Sequence, residues 1–353
     1  MLKFSLKAGL VAFSLLASAV APAMATSVIF VTPESGLGDH SFSDQMNNGL
    51  EKAKTDMGIT FTVIQPGSIS NFQSSLARAA AQKPDLIVGS SFDMIDAMKK
   101  VAAAFPDQKF GMIDVGPDPM GPNIVSTVTK DWEGSFLVGW IAAKTSKTGT
   151  IGFVGGKDIG IIHRFFIGYY YGAKMARPDV NVIETYTGSF TDPAGGKEYT
   201  LANIKQGADV NFAVAGPTSV GVIEAAKDTK TLAIGVDSNM NYMAPGFVLT
   251  SMVKRVDTQT YEIVKSVVDG TFKGGVVKFY GLAEDGVEAA MDDYNKGLIA
   301  DNVLKDVDDL KAKLLAGTIV VPNYFDLKPG QKEMGTPPMA TPPSLANATT
   351  LVQ

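Results

Sequence analysis

Groups able to do covalent chemistry are scarce in this chain, which holds two histidines and no cysteine. Asp39, His40 and Ser41 stand side by side, but a catalytic triad needs side chains that converge from separate segments. The run GFVGGK at residues 152–157 is one spacer short of a phosphate loop, and Asp158 stands where that loop needs Ser or Thr for magnesium. His40 and His163 are isolated, so neither has a second ligand at helical spacing with which to hold a metal. The acids are scattered, with no close Asp/Glu pair to act as general acid and base. No cofactor and no catalytic group are expected.

Groups suited to non-covalent binding recur with a pattern. Residues 36–42 (GLGDHSF) combine flexible glycines, an acceptor in Asp39 and a flat apolar face in Phe42. Ser90, Ser91 and Phe92 repeat the recipe, and Asp114 ends the run GMID. Residues 188–192 (GSFTD) carry Phe190, residues 215–221 (AGPTSVG) form another small polar loop, and Asp237 ends the apolar run that starts at Leu232. Aromatics and carboxylates at one end of successive strands would make a cleft for a planar ring. Stacking a base on an aromatic contributes about 1–3 kcal/mol, and a buried carboxylate that receives N–H donors adds orientation. Asp237 and Lys254 are expected to bracket the hydroxyls of a sugar.

These loops need strands to position them, and the patterning supplies strands. Short β-branched runs at residues 27–32, 60–64, 86–88 and 109–114 alternate with helical periodicities at 43–57, 69–82 and 95–104. A second series follows, with strands at 150–154, 181–186, 210–213 and 232–236 and helices at 132–145, 163–175, 200–206 and 221–228. Two successive series of this kind imply two doubly wound α/β lobes with mostly parallel sheets. In open sheets of this type ligands sit beyond the carboxyl ends of the strands. A helix at 303–316 and a last short strand at 318–321 complete the reading. Trp132 and Trp140 fall in an apolar stretch and read as core, with Trp132 near enough to a crossover to line the cleft.

Composition narrows the setting. Residues 1–25 have a positive start, an apolar centre and Ala23-Met24-Ala25, the pattern of an export signal. Their apolar run is too short to span a bilayer, which needs about 20 residues. The nominal charge is −5, and loss of Lys3 and Lys7 with that segment takes it to −7. This acidic balance with no basic run argues against nucleic-acid binding. Without cysteine there is no thiol for a lipid, so the expectation is a free, unlipidated periplasmic monomer. Residues 328–353 are rich in Pro and Thr and read as an extended tail.

Residues 155–173, 188–198, 208–227 and 249–257 together closely resemble the basic membrane protein family, the purine-nucleoside-type substrate-binding proteins of ABC importers. The resemblance runs from about Val28 to Val321. It implies the two-lobed periplasmic-binding-protein fold (type I), with three hinge crossovers near Val128, Leu249 and Gly286. The lobes would comprise residues 26–128 with 250–285, and 129–249 with 286–327. The ligand would be a purine nucleoside or nucleobase, and the partner an inner-membrane permease. Phe42 and Phe190 would flank the base and Asp114 would meet its edge. Asp237 and Lys254 would hold the ribose, with Gly216 beside it. His40 and Ser43 stand where the family has Lys and Asn. Many relatives carry an N-terminal lipidated Cys, which this chain lacks. A nucleoside hydrolase, or a receptor for a sugar or another heterocycle, remains open at this point.

Overall fold

A computed structural model describes residues 25–327. The expected export segment, except Ala25, and the expected tail at 328–353 lie outside the described residues.

The first half builds β1 (Ser27–Val31), α1 (Phe42–Met57), β2 (Thr60–Ile64), α2 (Phe72–Ala81), β3 (Leu86–Ser90), α3 (Ile95–Ala104), β4 (Phe110–Ile113) and β5 (Ile124–Thr129). The second half builds α4 (Asp131–Thr145), β6 (Thr150–Gly155), α5 (Gly160–Ala176), β7 (Asn181–Tyr186), α6 (Pro193–Lys205), β8 (Val210–Val214), α7 (Ser219–Thr229), β9 (Leu232–Asp237) and β10 (Val248–Lys254). After these come α8 (Val256–Val268), β11 (Val276–Tyr280), β12 (Val287–Ala289) and α9 (Asp301–Leu315).

Two six-stranded sheets result, in the orders β11-β5-β4-β3-β1-β2 and β12-β10-β9-β8-β6-β7. The pairing is parallel except for β10 with β12. Each sheet is therefore the centre of its own α/β layer, and the molecule is a two-lobed type I fold. Strands β3, β4, β5, β8 and β10 are buried along their whole length, as expected of strands covered on both faces by crossover helices.

The chain passes from the first sheet to the second between β5 and α4, back between β10 and α8, and across again between β11 and β12. The second passage falls at Arg255 and not at Leu249. Thr250–Lys254, expected with the first lobe, pairs with β9 in the second sheet through Val253. The apolar run breaks at Leu249 because the strand goes on with buried polar residues whose groups are satisfied. Thr250 donates to the Ala290 carbonyl at 2.9 Å and Ser251 to Asn241 Oδ1 at 2.8 Å. Helix α8 returns to the first lobe, where Val256, Ile263 and Val264 share a core with Val28, Phe30 and Leu50. Residues 318–321 form no strand; Ile319 and Val321 instead seat as irregular chain on the second-lobe core. Trp132 belongs to that core as well.

Candidate functional site

The carboxyl ends of both sheets point at one cavity. Asp39, Phe42, Phe92 and Asp114 line it from the first lobe, and Phe190, Gly216, Asp237 and Lys254 from the second. All eight residues singled out in the sequence are brought together, across as many as 215 positions of chain. Trp132 is not among its lining.

Backbone geometry at the rim is unusual. Four non-glycine residues beside the cleft adopt positive φ: His40 (52°), Ser91 (92°), Asp114 (53°) and Asp237 (63°). Such conformations cost of order 1–3 kcal/mol each and cluster where a site fixes side-chain direction. At Asp114 and Asp237 the effect is to turn the carboxylate out of the strand line and into the cleft. Asp is among the residues that tolerate this region.

At the floor, four buried ionised groups form a closed ring. Lys254 Nζ lies 2.5 Å from Asp114 Oδ2 and 3.0 Å from Asp131 Oδ1. Arg164 Nη2 lies 2.6 Å from Asp131 Oδ2 and 3.3 Å from Asp114 Oδ1. Positive and negative groups alternate, and the ring sums to zero. That balance is what makes four charges tolerable where each is 2% exposed or less. Asp114 comes from the first lobe and the other three from the second, so the ring ties the lobes together.

The two carboxylates respond to the ring differently. Burial pushes Asp114 up, but Lys254 and Arg164 outweigh it, and the Thr129 N–H at 3.1 Å adds to them, so Asp114 ends below its ordinary value. At Asp131 burial wins over Arg164 and Lys254, and the group is raised to about 6. Burial lowers Lys254, yet Asp114, Asp131 and Asp237 more than offset it, so its ammonium is held above the usual lysine range. That ammonium also sits over the rings of Phe165 at 4.7 Å and Phe42 at 5.4 Å.

Asp131 and Arg164 were not singled out in the sequence. Asp131 looks there like an ordinary acid in the first turn of a helix, where it favours the helix dipole. Arg164 follows His163 near the start of α5. The available signal was Arg164's position in IIHRFFIGYYY, where a lone guanidinium on an apolar helix has to find buried acids.

Two expected roles change. Asp39 lines the cavity, but its carboxylate accepts from the backbone N–H groups of Ser41 (3.0 Å), Ser43 (2.8 Å) and Asp44 (3.1 Å). It therefore caps the start of α1, satisfying donors that a helix leaves free. The direct Asp237–Lys254 bracket is also absent, because Lys254 makes its ion pairs with Asp114 and Asp131. Asp237 instead accepts from the Ser41 hydroxyl at 2.9 Å. Burial raises it above its ordinary value despite Lys254 and Ser41.

Further bonds close the lips. Ser238 Oγ donates to the His40 carbonyl at 2.5 Å, and Lys157 pairs with Asp93 at 3.5 Å. Lys157 also lies 5.3 Å from the centre of the Phe190 ring. Phe190 is held against Gly156 so closely that a Cβ there would fall 2.3 Å from the ring. Gly216, at φ +54°, allows the adjoining loop to run beside the Phe190 carbonyl.

His163 stands outside the cavity, bonded through Nε2 to Asp158 at 2.8 Å and through Nδ1 to the Tyr186 hydroxyl at 3.0 Å. No group of histidines and acids among the described residues is arranged to hold a metal. None of their helices is long and apolar enough to cross a membrane.

A cleft between two doubly wound lobes, lined by aromatics and buried charges from both, defines the class of two-lobed solute-binding proteins. Comparison with known proteins gives the family. Residues 26–324 match the Bmp family, described as ABC transporter substrate-binding protein, PnrA-like, and the chain belongs to it. It is 33% identical over 316 residues to the ABC transporter nucleoside-binding protein BmpA of Lactococcus lactis, covering 83% of this chain and 88% of that protein. It is 36% identical over 266 residues to an uncharacterized lipoprotein of Pyrococcus horikoshii, covering 71% of this chain. The chain spans just under two thirds, 65%, of that archaeal relative's length. Among solved structures, a solute-binding protein of an ABC transporter system from Aeropyrum pernix matches with a TM-score of 0.78 at 30% identity, over 84% of this chain and 93% of the other.

These relatives correct one expectation. Two archaeal matches, at 36% identity each, are named lipoproteins, which conflicts with the free, unlipidated protein expected from the lack of cysteine. The missing cysteine was too narrow a ground for that expectation.

Proposed function

We propose that this protein captures a purine nucleoside or nucleobase between its lobes and delivers it to the membrane permease of an ABC importer. The observation that carries the reading is the composition of the shared cavity. Phe42 and Phe190 enter it from opposite lobes, and buried carboxylates stand beside them. In this reading Phe42 and Phe190 offer their faces to the base, and Asp237 with Ser41 takes ribose hydroxyls. Gly216 gives the sugar room. Lys254 acts through the ion ring and not as a direct sugar ligand.

Asp114 retains capacity for the base edge. A carboxylate has about four lone-pair sites. Thr129 N–H and Arg164 occupy two at Oδ1, and Lys254 one at Oδ2. One site is left for an N–H of the base. Because ligand contacts come from both lobes, a ligand favours the closed form by its differential affinity for it. The moving bodies in this account are residues 26–129 with 256–280, and residues 131–254 with 287–321.

The name of the Lactococcus lactis relative supports the ligand class, and family membership supports the transport role. Mass spectrometry of whatever small molecule co-purifies with the protein, released by denaturation, tests the reading. A purine nucleoside or base is expected. A sugar or amino acid at one equivalent per chain would replace it.

A further inference from the structure

A second cavity, of about 250 Å³, adjoins the first. Phe92, Ile95 and Val115 line it from the first lobe, Ile159 and Ile161 from the second, and Phe325 from the last turn of described chain. Apart from glycines, its lining side chains are all apolar. Each of these residues except Val115 stays partly exposed, and Phe325 is 39% exposed. Apolar surface left open in this way gains about 25 cal/mol for every Å² that an apolar occupant covers. A dry apolar cavity of about 150 Å³ already holds a benzene ring, so the space is adequate for one ring or a short branched chain.

Two features say where the occupant comes from. Phe92 and Ile161 line both cavities, so the two are continuous past these side chains. Val115 directly follows Asp114, the residue assigned above to the base edge. A hydrocarbon group carried on that edge would therefore pass between Phe92 and Ile161 into the second cavity. There it would touch both lobes, and its burial would add to the preference for the closed form.

We infer that the ligand site extends into an apolar subsite that takes a hydrocarbon substituent, such as a benzyl or branched five-carbon group, carried on the base of the ligand. This rests on the nucleoside reading given above. Polar specificity resides in the first cavity and tolerance of a large apolar base modification in the second.

Calorimetric titration of the full chain with adenosine and with N6-benzyladenosine tests the subsite. The benzyl compound is expected to bind at least tenfold more tightly than adenosine. Ile95→Trp, which fills the cavity, is expected to abolish that advantage and leave adenosine affinity unchanged. Phe325→Ala, at an exposed position, is a second variant expected to reduce the advantage without altering adenosine binding. Adenosine binding with tenfold weaker benzyladenosine binding overturns the subsite and leaves the nucleoside reading standing. Equal affinities that neither variant changes also overturn it. An advantage seen only after deletion of residues 328–353 would assign the cavity to the chain's own end and overturn the proposal. Failure of both compounds to bind overturns the nucleoside reading and the subsite together.

Discussion

Replacing Lys254 by Met tests the ion ring where it is most exposed to failure. Methionine nearly matches the lysine stem, so the change removes charge with little change in volume. The ring then holds Asp114, Asp131 and Arg164, and its sum moves from zero to minus one among groups that are each 2% exposed or less. Removing one partner of a buried pair costs about 3–5 kcal/mol, because the remaining charge is uncompensated. In domains of 150–250 residues each kcal/mol lowers Tm by roughly 2–4 °C, so a drop on the order of 10 °C is expected at pH 8. The penalty has a pH signature. Asp131 is already raised to about 6, and loss of Lys254 raises it further, so lowering the pH to 5 protonates it and removes the excess charge. The variant should recover most of its deficit there. Urea unfolding followed by circular dichroism at pH 5 and pH 8 measures both. A loss below about 1 kcal/mol at pH 8, or the same loss at both pH values, would refute a ring held together by charge balance.

Other expectations follow from the same geometry. Asp131 has a folded-state pKa above its ordinary value, so its contribution to stability is complete below pH 4 and is lost as pH rises through about 6; Asp131→Asn should remove that limb from a plot of unfolding free energy against pH. Asp237→Ala should weaken nucleosides at least tenfold more than the matching free bases in calorimetric titrations, and equal losses would take Asp237 away from the ribose. Gly156→Ala places a Cβ 2.3 Å from the Phe190 ring, so purine affinity should fall about tenfold or more while far-UV circular dichroism stays unchanged.

Much of the fold was legible because buried parallel strands leave dense apolar, β-branched runs between helical periodicities, as at Ser27–Val31 and Leu86–Ser90. Strands whose buried positions are polar were harder to see. β5, sequence IVSTVT, has Ser126, Thr127 and Thr129 fully inside, and the second half of β10 hides Thr250, Ser251 and Lys254 in the same way. A pattern based on apolar residues alone loses such strands, and the hinge at Arg255 was misplaced for this reason.

The cavity lining was legible from position, since small, aromatic and acidic residues at strand ends converge when the strands are parallel. The partners of each charge were not legible. Lys254 lies 17 residues after Asp237 but pairs with Asp114, 140 positions away, and nothing local distinguishes the two acids. Asp39 showed the reverse error. Its closeness to the start of α1 marked it as a helix cap, and three backbone N–H groups bond its carboxylate, so most of its acceptor capacity goes to the helix start.

The central claim is that the cleft holds a purine. Isothermal titration of the purified protein with inosine, adenosine and guanosine, with the cell contents analysed afterwards for free base, tests it most directly. The account predicts saturable binding of at least one of the three at one site per chain, with the nucleoside recovered intact. No heat of binding from any of them, or release of free base, would contradict it.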